Sequence, residues 1–240
     1  MTEHAQPTEY TIETLAHGTP VYVSGVYRFG TDAMLLSHFC RVRRGEDACD
    51  LGTGCGIIPL RWYDMGHRGR AVGVELAPEA IGLLQRAAKA AGADNILAVC
   101  ADLREYKTDK LFDVVACNPP YFNGGYLSEK PGRAQQRHQI TCTTADVCRA
   151  AARVLKDRGR LCLCQRPEAM GEVMAAMSAA GIQPKRLRLV RQKQAEQPWL
   201  FLLEGRKAAG TGLVMLPDLI VGNGRGGFSE EMLRIYGKIE

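Results

Sequence analysis

The tetrapeptide Asn118-Pro119-Pro120-Tyr121, at the end of a predicted strand, is the segment whose residue types point most directly to chemistry. Each proline removes a backbone donor and fixes φ at about −65°, so carbonyl oxygens and the Asn118 amide oxygen remain to accept hydrogen bonds. Such a surface favours a substrate with two N–H donors, such as the exocyclic amine of a nucleobase, and Tyr121 could stack on that base. We therefore predict that Asn118, Pro119, Pro120 and Tyr121 are catalytic.

A glycine-rich turn lies earlier in the chain, with Gly52, Gly54 and Gly56 at alternate positions between a predicted strand and a predicted helix. Because glycine has no Cβ, a ligand can lie against the backbone there. The spacing differs from the GxGxxG of dinucleotide-binding proteins, and Asp50 just before the turn is a poor neighbour for a pyrophosphate. An acid suits a positively charged ligand, and S-adenosylmethionine carries both a sulfonium and an ammonium group.

Two more acids follow the next two predicted strands, Glu75 and Asp102. The carboxyl ends of parallel strands meet at one edge, so Glu75 could bind the ribose hydroxyls and Asp102 the adenine amine. Either acid alone could instead cap a helix, but the three features in register predict a cofactor site. Its predicted residues are Asp50, Gly52, Thr53, Gly54, Gly56, Glu75, Leu76, Asp102, Leu103 and Asn118.

Short apolar strands alternate with helix-length segments from residue 48 onward, which is typical of a mostly parallel sheet with crossover helices. The predicted strands are 48–51, 70–75, 96–100, 112–117 and 160–165, and the predicted helices are 57–65, 79–91 and 145–155. Strands 185–191 and 199–204 are predicted to close the sheet as an antiparallel pair. Ahead of the sheet, the pattern predicts a small hairpin within 21–29 and a helix over 33–39, with cap residues Thr31 and Asp32.

The glycine turn, the two strand-end acids and the Asn-Pro-Pro-Tyr motif together resemble class I S-adenosylmethionine-dependent methyltransferases that act on exocyclic nitrogens. Two further stretches, 27–36 and 133–138, are similar to the bacterial family that makes N6-methyladenine beside the anticodon of a valine tRNA. The resemblance covers residues 20–205. It implies an α/β Rossmann-like methyltransferase fold with a mostly parallel seven-stranded sheet, a tRNA substrate and S-adenosylhomocysteine as product.

The same resemblance implies roles for residues outside the sheet. Phe29 and Asp32 would close over the methionine end of the cofactor, although Asp32 could equally cap a helix. The implied substrate-binding residues are Tyr121, Phe122, Arg133, Arg137 and His138. A histidine in this position could act as a general base or contact phosphate.

The domain organisation predicted from these patterns has three parts: an N-terminal hairpin and helix over 1–45, the methyltransferase domain over 46–205 and a C-terminal tail over 206–240. The basic run 184–193 could contact RNA or protect a strand edge, and the glycine-rich segment 222–227 could be flexible or face phosphate.

Composition excludes several other classes. The 240 residues include nine cysteines without a CxxC pair, which indicates neither a disulfide framework nor a zinc site. The net charge of +5 permits a polyanionic partner without requiring one. No apolar run approaches the roughly 20 residues that span a bilayer, and no signal peptide precedes the domain, so we expect a cytoplasmic protein with no membrane or metal partner.

Three alternative functions remain open at this point. A protein-glutamine methyltransferase uses a similar motif but usually carries a helical domain before the glycine turn, where only 49 residues stand here. Methylation of an amine in rRNA or DNA requires the same acceptor pocket. A non-catalytic RNA-binding scaffold is the alternative from a different class, and the intact Asn-Pro-Pro-Tyr motif speaks against it.

Overall fold

The structure, a computed structural model, describes residues 9–119 and 142–239, which form one large sheet with helices on both faces and a separate hairpin. The strands are β1 (Tyr10–Thr14), β2 (Pro20–Ser24), β3 (Ala48–Leu51), β4 (Ala71–Glu75), β5 (Ile96–Cys100), β6 (Phe112–Cys117), β7 (Leu155–Gln165), β8 (Ile182–Arg191), β9 (Leu200–Lys207), β10 (Val214–Met215) and β11 (Leu219–Ile220). The helices are α1 (Thr31–Phe39), α2 (Ile57–Asp64), α3 (Pro78–Ala91), α4 (Thr144–Val154), α5 (Met170–Ala179) and α6 (Glu230–Ile235).

Seven strands of the main sheet lie in the order β5-β4-β3-β6-β7-β9-β8, and the two-residue strands β10 and β11 both pair with β8. All neighbours are parallel except β9, which runs antiparallel to β7 and β8. The predicted α/β Rossmann-like fold is therefore confirmed. Because the chain order reverses between β3 and β6, the crevice at their carboxyl ends is where ligands bind in sheets of this kind.

The two faces of the sheet are covered by different helices. The hairpin, α1, α2, α3 and α6 pack on one face, and α4 and α5 pack on the other. α3 shows why such a segment folds as a helix: Pro78 occupies its first turn, Gly92 ends it in the left-handed region, and its apolar residues share one side. Leu84 on that side is fully buried, which stabilises the fold by roughly 1.5–3 kcal/mol.

The N-terminal hairpin lies earlier than the sequence pattern predicted. β1 pairs with β2 from Tyr10↔Ser24 to Thr14↔Pro20, and residues 25–29 form no strand. All five β1 residues are exposed, so the strand lacks the alternation of apolar and polar residues that reveals strands in a sequence. The Ser24 N–H donates to the Tyr27 carbonyl, which turns the chain toward α1 instead of into a second strand.

The C-terminal residues predicted as a tail extend the fold. β10 and β11 add to the sheet, and α6 buries Met232 and Ile235 in the same core as α1. The hydroxyl of Tyr236 also lies 3.4 Å from the hydroxyl of Thr31 at the start of α1.

The basic run in β8 is paired within the chain. Arg186 bonds to the buried Glu204 at 2.5 Å, Arg188 to Glu231 at 2.6 Å, and Arg191 to Asp218. β8 has β9 on one side and the short strands β10 and β11 on the other, so it is not a bare edge. Intramolecular ion pairs therefore engage Arg186, Arg188 and Arg191, and contact of the run with RNA stays a prediction.

Candidate active site

The glycine turn after β3 presents an open backbone surface. Gly52 and Gly54 have φ of +76° and +54°, and nothing in the described structure lies within 4 Å of a Cβ built at either position. The Gly52 N–H donates to the Val74 carbonyl at 2.8 Å, which fixes the turn on β4. Gly56 instead faces the protein, since a Cβ there would come within 2.3 Å of Leu84. The turn therefore has one packed side and one side open to a ligand.

Asp50 is a buried acid beneath this turn. Only 1% of it is exposed, and among the described residues its two carboxylate oxygens and the Thr53 hydroxyl have no hydrogen-bond partner. Burial raises the pKa of Asp50 to about 7, a rise that the nearby Thr53 hydroxyl opposes and the charge of Glu75 reinforces. Buried polar atoms without partners are costly, so their presence beside an open cradle indicates a ligand with donors or positive charge.

Glu75, at the end of β4, connects the glycine turn to α3. One carboxylate oxygen accepts from the Gly54 N–H at 3.1 Å, and the other accepts from Leu76 at 2.8 Å and Ala77 at 3.1 Å. α3 has Ala77 as its N-cap and no side-chain cap, so Glu75 does not cap the helix; its carboxylate instead holds the two residues before α3 and the glycine turn. Leu76 is 42% exposed beside it, which leaves an apolar surface next to the acid.

Asp102 follows β5 at the same edge, and its carboxylate is held by Arg104. The Arg104 Nε donates to both oxygens at 3.0 Å, and its Nη2 forms a further bond to Oδ2. These hydrogen bonds lower the pKa of Asp102. Arg153 of α4 fixes this turn by donating to the carbonyls of Leu103, Arg104 and Tyr106 at 2.9–3.0 Å.

Asn118 and Pro119 leave β6 beside the glycine turn. β6 pairs with β3 at Ala116↔Asp50, and continuing that register sets Asn118 opposite Gly52. The Asn118 amide oxygen lies 3.0 Å from the buried Cys164 thiol of β7, which donates to it. Asn118, Pro119 and the turn thus lie at one end of the sheet, as the sequence predicted.

Cys117, which precedes the motif, packs in the core. It is 2% exposed, and burial raises its pKa well above the ordinary range. A thiol in this state is a poor nucleophile, which agrees with the predicted packing role.

The start of α1 reaches the same edge. Asp32 lies in the first turn of the helix, where its Oδ1 accepts from the Ala33 N–H at 2.9 Å, and Phe29 just before it packs partly into the core. The end of α1 lies near the amino ends of the strands, where Arg160 of β7 donates to the Arg41 carbonyl at 3.5 Å, so we place the first residues of this helix toward the carboxyl ends. α1 begins at Thr31 with Gly30 as its N-cap and no side-chain cap, so neither Thr31 nor Asp32 caps the helix as predicted, and the ligand contact of Asp32 stays a prediction.

Six predicted site residues lie outside the described part of the chain: Pro120, Tyr121, Phe122, Arg133, Arg137 and His138. Within residues 9–119 and 142–239, no group of three or more histidine, cysteine or acidic side chains could hold a metal ion. In those same ranges, no helix combines the length and apolar character needed to cross a bilayer.

Two partners of the site could not be predicted from local sequence patterns. Cys164 reaches Asn118 only because β7 lies beside β6, and a cysteine within an apolar strand is typical of a core position. Arg104 pairs with Asp102 across two residues of an irregular turn, for which no periodic signal exists. Cys100, at the end of β5 opposite Glu75, is the exposed thiol at this edge.

Comparison with protein families places this geometry among known enzymes. The sequence model of the methyltransferase small domain matches residues 14–178. A protein of Porphyromonas gingivalis named tRNA1(Val) (adenine(37)-N6)-methyltransferase is 27% identical over 225 residues, which cover 87% of this chain and 86% of the relative. A protein of the same name from Aliivibrio salmonicida is 27% identical over 131 residues, or 54% of this chain. That alignment covers 56% of the Aliivibrio protein, somewhat over half its length.

Solved structures show the same fold. A predicted O-methyltransferase from Agrobacterium tumefaciens aligns with a TM-score of 0.70 at 21% identity, covering 85% of this chain and 95% of that protein. A T. thermophilus 16S rRNA methyltransferase in complex with AdoMet and guanosine aligns with a TM-score of 0.58 at 20% identity, covering 83% of this chain and 50% of that protein. At these identities the likeness establishes the fold alone.

Proposed function

The chain belongs to the methyltransferase small domain family, and on that premise we propose that it transfers a methyl group from S-adenosylmethionine to the N6 amine of an adenine in tRNA. The observation that carries the proposal is the position of Asn118 and Pro119 directly beside the open glycine turn, at the switch point of the sheet. The adenine and tRNA assignments draw on the relatives named tRNA1(Val) (adenine(37)-N6)-methyltransferase. A tRNA substrate also leads us to propose that the enzyme acts in the cytoplasm.

The described residues fit the cofactor. Gly52 and Gly54 leave backbone open to a ligand, and the buried, unpartnered carboxylate of Asp50 suits its positive charge. We assign Glu75 to the ribose hydroxyls, because it stands at the strand end beside the turn. When bound, S-adenosylmethionine supplies an electrophilic methyl group on a sulfonium sulfur.

Asp102 is proposed to accept from the adenine amine of the cofactor. Its oxygens already accept from Arg104, but each carboxylate oxygen has two lone pairs and can accept again. Arg104 keeps this carboxylate ionised by lowering its pKa, and Arg153 holds the surrounding turn in place. Leu76 and Leu103 offer apolar surface next to the two acids, against which the adenine ring can pack.

Asn118 is proposed to orient the substrate amine. Its amide oxygen and the Pro119 carbonyl would each accept one N–H of the adenine NH₂, which directs the nitrogen and stabilises the positive charge that develops on it. The Cys164 thiol donates to the same amide oxygen and so helps fix its direction. No strong base is required, since the methylated ammonium is acidic and can release its proton to water.

The remaining roles follow from the resemblance described above. Pro120 would extend the donor-free rim, and Tyr121 and Phe122 would stack on the target adenine. Arg133 and Arg137 would contact phosphate, and His138 would contact phosphate or take up a proton.

The proposal is tested by methyl transfer from labelled cofactor to tRNA, followed by mass spectrometry of the nucleosides. We expect N6-methyladenosine from tRNA and at least a hundredfold loss of rate in Asn118→Ala. The same variant should keep the wild-type melting temperature, which controls for folding.

Parallel reactions with rRNA, DNA and a glutamine-containing protein separate the alternatives. Label in one of these substrates and none in tRNA would replace the proposed substrate. Equal rates in Asn118→Ala and wild type would refute the proposed mechanism. Binding of tRNA without turnover would identify a scaffold.

A further inference from the structure

The edge of the sheet that carries Asn118 continues well beyond the glycine turn. β7 and β8 both run antiparallel to β9, so they are parallel to each other and their carboxyl ends face the same way. β11 runs parallel to β8 and ends at the same edge. The segments that follow these strands therefore continue one rim from Asn118: Arg166 after β7, Lys193 after β8, Trp199 before β9 and the 222–228 loop after β11.

Two exposed arginines on this rim differ from the arginines of β8, which form ion pairs within the chain. Arg28, just before α1, and Arg225, in the 222–228 loop, are exposed, and neither has an acidic partner within residues 9–119 and 142–239. Arg166 lies 5.9 Å above the Trp199 ring and donates to the Trp199 carbonyl at 3.1 Å. Arg28 and Arg225 therefore leave positive charge available to a polyanion, and Trp199 adds an aromatic ring to the same rim.

At the opposite edge of the sheet, a cluster of basic side chains is paired with acids. There Asp47 lies within 4 Å of Arg70, Lys110 and Lys156, and Glu46 pairs with Arg160 at 2.8 Å. Arg70, Lys110, Lys156 and Arg160 are thus neutralised within the chain. The available positive charge on the rim is on the same side as Asn118.

The 222–228 loop is held in a defined shape. The Asn223 side-chain oxygen accepts from the N–H groups of Arg225 and Gly227 at 2.8 and 3.0 Å, and Phe228 stacks on Tyr236 with ring centroids 5.2 Å apart. Between this loop and Lys193 lies an open depression of about 470 Å³, walled by glycine backbone. Lys193 pairs with Glu196 at 3.3 Å, an exposed contact that salt and ligands can replace.

We propose that Arg28 and Arg225, together with the depression beside Lys193, form the surface that binds the sugar–phosphate backbone of the RNA flanking the target base. The inference rests on the proposed function and adds to it the location of the RNA on the enzyme. Phosphate contacts fix the register of a nucleic acid on a protein. A phosphate-binding surface continuous with Asn118 would therefore position the RNA so that the target base reaches Asn118. Trp199 offers a ring on which an unpaired base can stack.

The test compares Arg225→Ala with Arg44→Ala, a matched variant of an exposed arginine in the loop before β3, at the opposite edge. The probe is unfractionated tRNA, with binding measured by fluorescence anisotropy over a series of salt concentrations. One lost phosphate contact should weaken binding about tenfold at ~50 mM salt and flatten the dependence of log K on log salt by about 0.7–0.9. Cofactor affinity and the melting temperature should be unchanged, and Arg225→Lys should restore most of the binding.

Each outcome decides between the two proposals. Weaker tRNA binding and a flatter salt slope in Arg225→Ala alone support the surface. Equal behaviour of Arg225→Ala and Arg44→Ala, whether both unchanged or both weakened, overturns it while leaving the methyl transfer reaction intact. Wild-type protein that neither binds nor methylates tRNA overturns the proposed function and this surface together.

Discussion

Replacing Asp50 with asparagine should stabilise the protein without cofactor and weaken cofactor binding. The carboxyl is fully buried without a hydrogen-bond partner among the described residues, and its pKa rises from 3.8 to about 7. That shift corresponds to a cost of about 4 kcal/mol for holding the ionised form in the folded chain above neutral pH. Asparagine has no charge to bury, but its amide leaves unsatisfied polar atoms that cost about 1–3 kcal/mol, so a net gain of about 2 kcal/mol is expected at pH 8.

The pKa of Asp50 determines how the stability of the folded protein changes with pH. The pKa of the carboxyl is higher in the folded chain than in the unfolded chain, so the unfolded chain releases its proton first as the pH rises. Asp50 therefore lowers stability progressively between about pH 4 and pH 7, and the loss is complete above that range. Urea unfolding of cofactor-free wild type should show this decline, and Asp50→Asn should lack it.

Cofactor affinity should fall in Asp50→Asn, although the stability of the cofactor-free protein rises. A carboxylate that meets the positive charge of the ligand is worth about 1.5–3 kcal/mol, so Asp50→Asn should bind S-adenosylmethionine about ten- to a hundredfold more weakly in calorimetry at pH 8. Asp64→Asn is the matched control, because this buried acid accepts from the His17 and Thr19 amides at 3.2 Å and its replacement should only destabilise. The reasoning is refuted if wild type and Asp50→Asn show the same change of unfolding free energy from pH 4 to pH 8.

Three further variants test other parts of the site. Gly54→Ala should lower cofactor affinity because its Cβ enters the open side of the turn, and the positive φ should cost roughly 1–2 kcal/mol of stability in thermal unfolding. Cys164→Ala should lower kcat severalfold at unchanged KM for the cofactor. Cys164→Ser, which still donates to Asn118, should retain kcat. An alanine variant with wild-type kcat contradicts the positioning role of Cys164. Asp102→Ala should weaken cofactor binding by about 1–3 kcal/mol, whereas Arg104→Ala should not. Equal losses of cofactor affinity in the two variants would show that Asp102 serves only to hold Arg104.

β3 and β6 could be predicted from sequence because they are buried on both faces, and the edge strand β5 could be predicted because its five residues are all apolar. β3, β5 and β6 have the predicted bounds, since continuous apolar runs between glycine and acidic residues identify such strands. The glycine turn was predictable for a related reason, because glycines at alternate positions after a buried strand favour a tight turn with open backbone. The order of strands then brought Asn118 to Gly52 without any further signal.

Elements with little burial or little periodicity could not be predicted in the same way. α5 was missed because its alanines and methionines show no polar face, and only Val173 and Met177 are buried. β7 begins at Leu155 rather than 160, because α4 passes directly into it and Arg158 takes a positive φ before the regular pairing. The ion pairs of β8 join residues far apart in sequence, so the basic run alone resembles a free surface, and only the folded chain brings its acids to it.

The unequal burial of the cysteines provides a means of observing the site in solution. Cys100 is exposed at the end of β5, whereas Cys142 is partly covered and the other seven thiols are buried. A maleimide fluorophore should therefore react first at position 100, beside the strand-end acid Glu75 and with its sulfur 3.5 Å from the Leu76 carbonyl. With Cys142→Ser to remove the second accessible thiol, the labelled protein would report arrival of the cofactor as a change in emission, without any engineered cysteine.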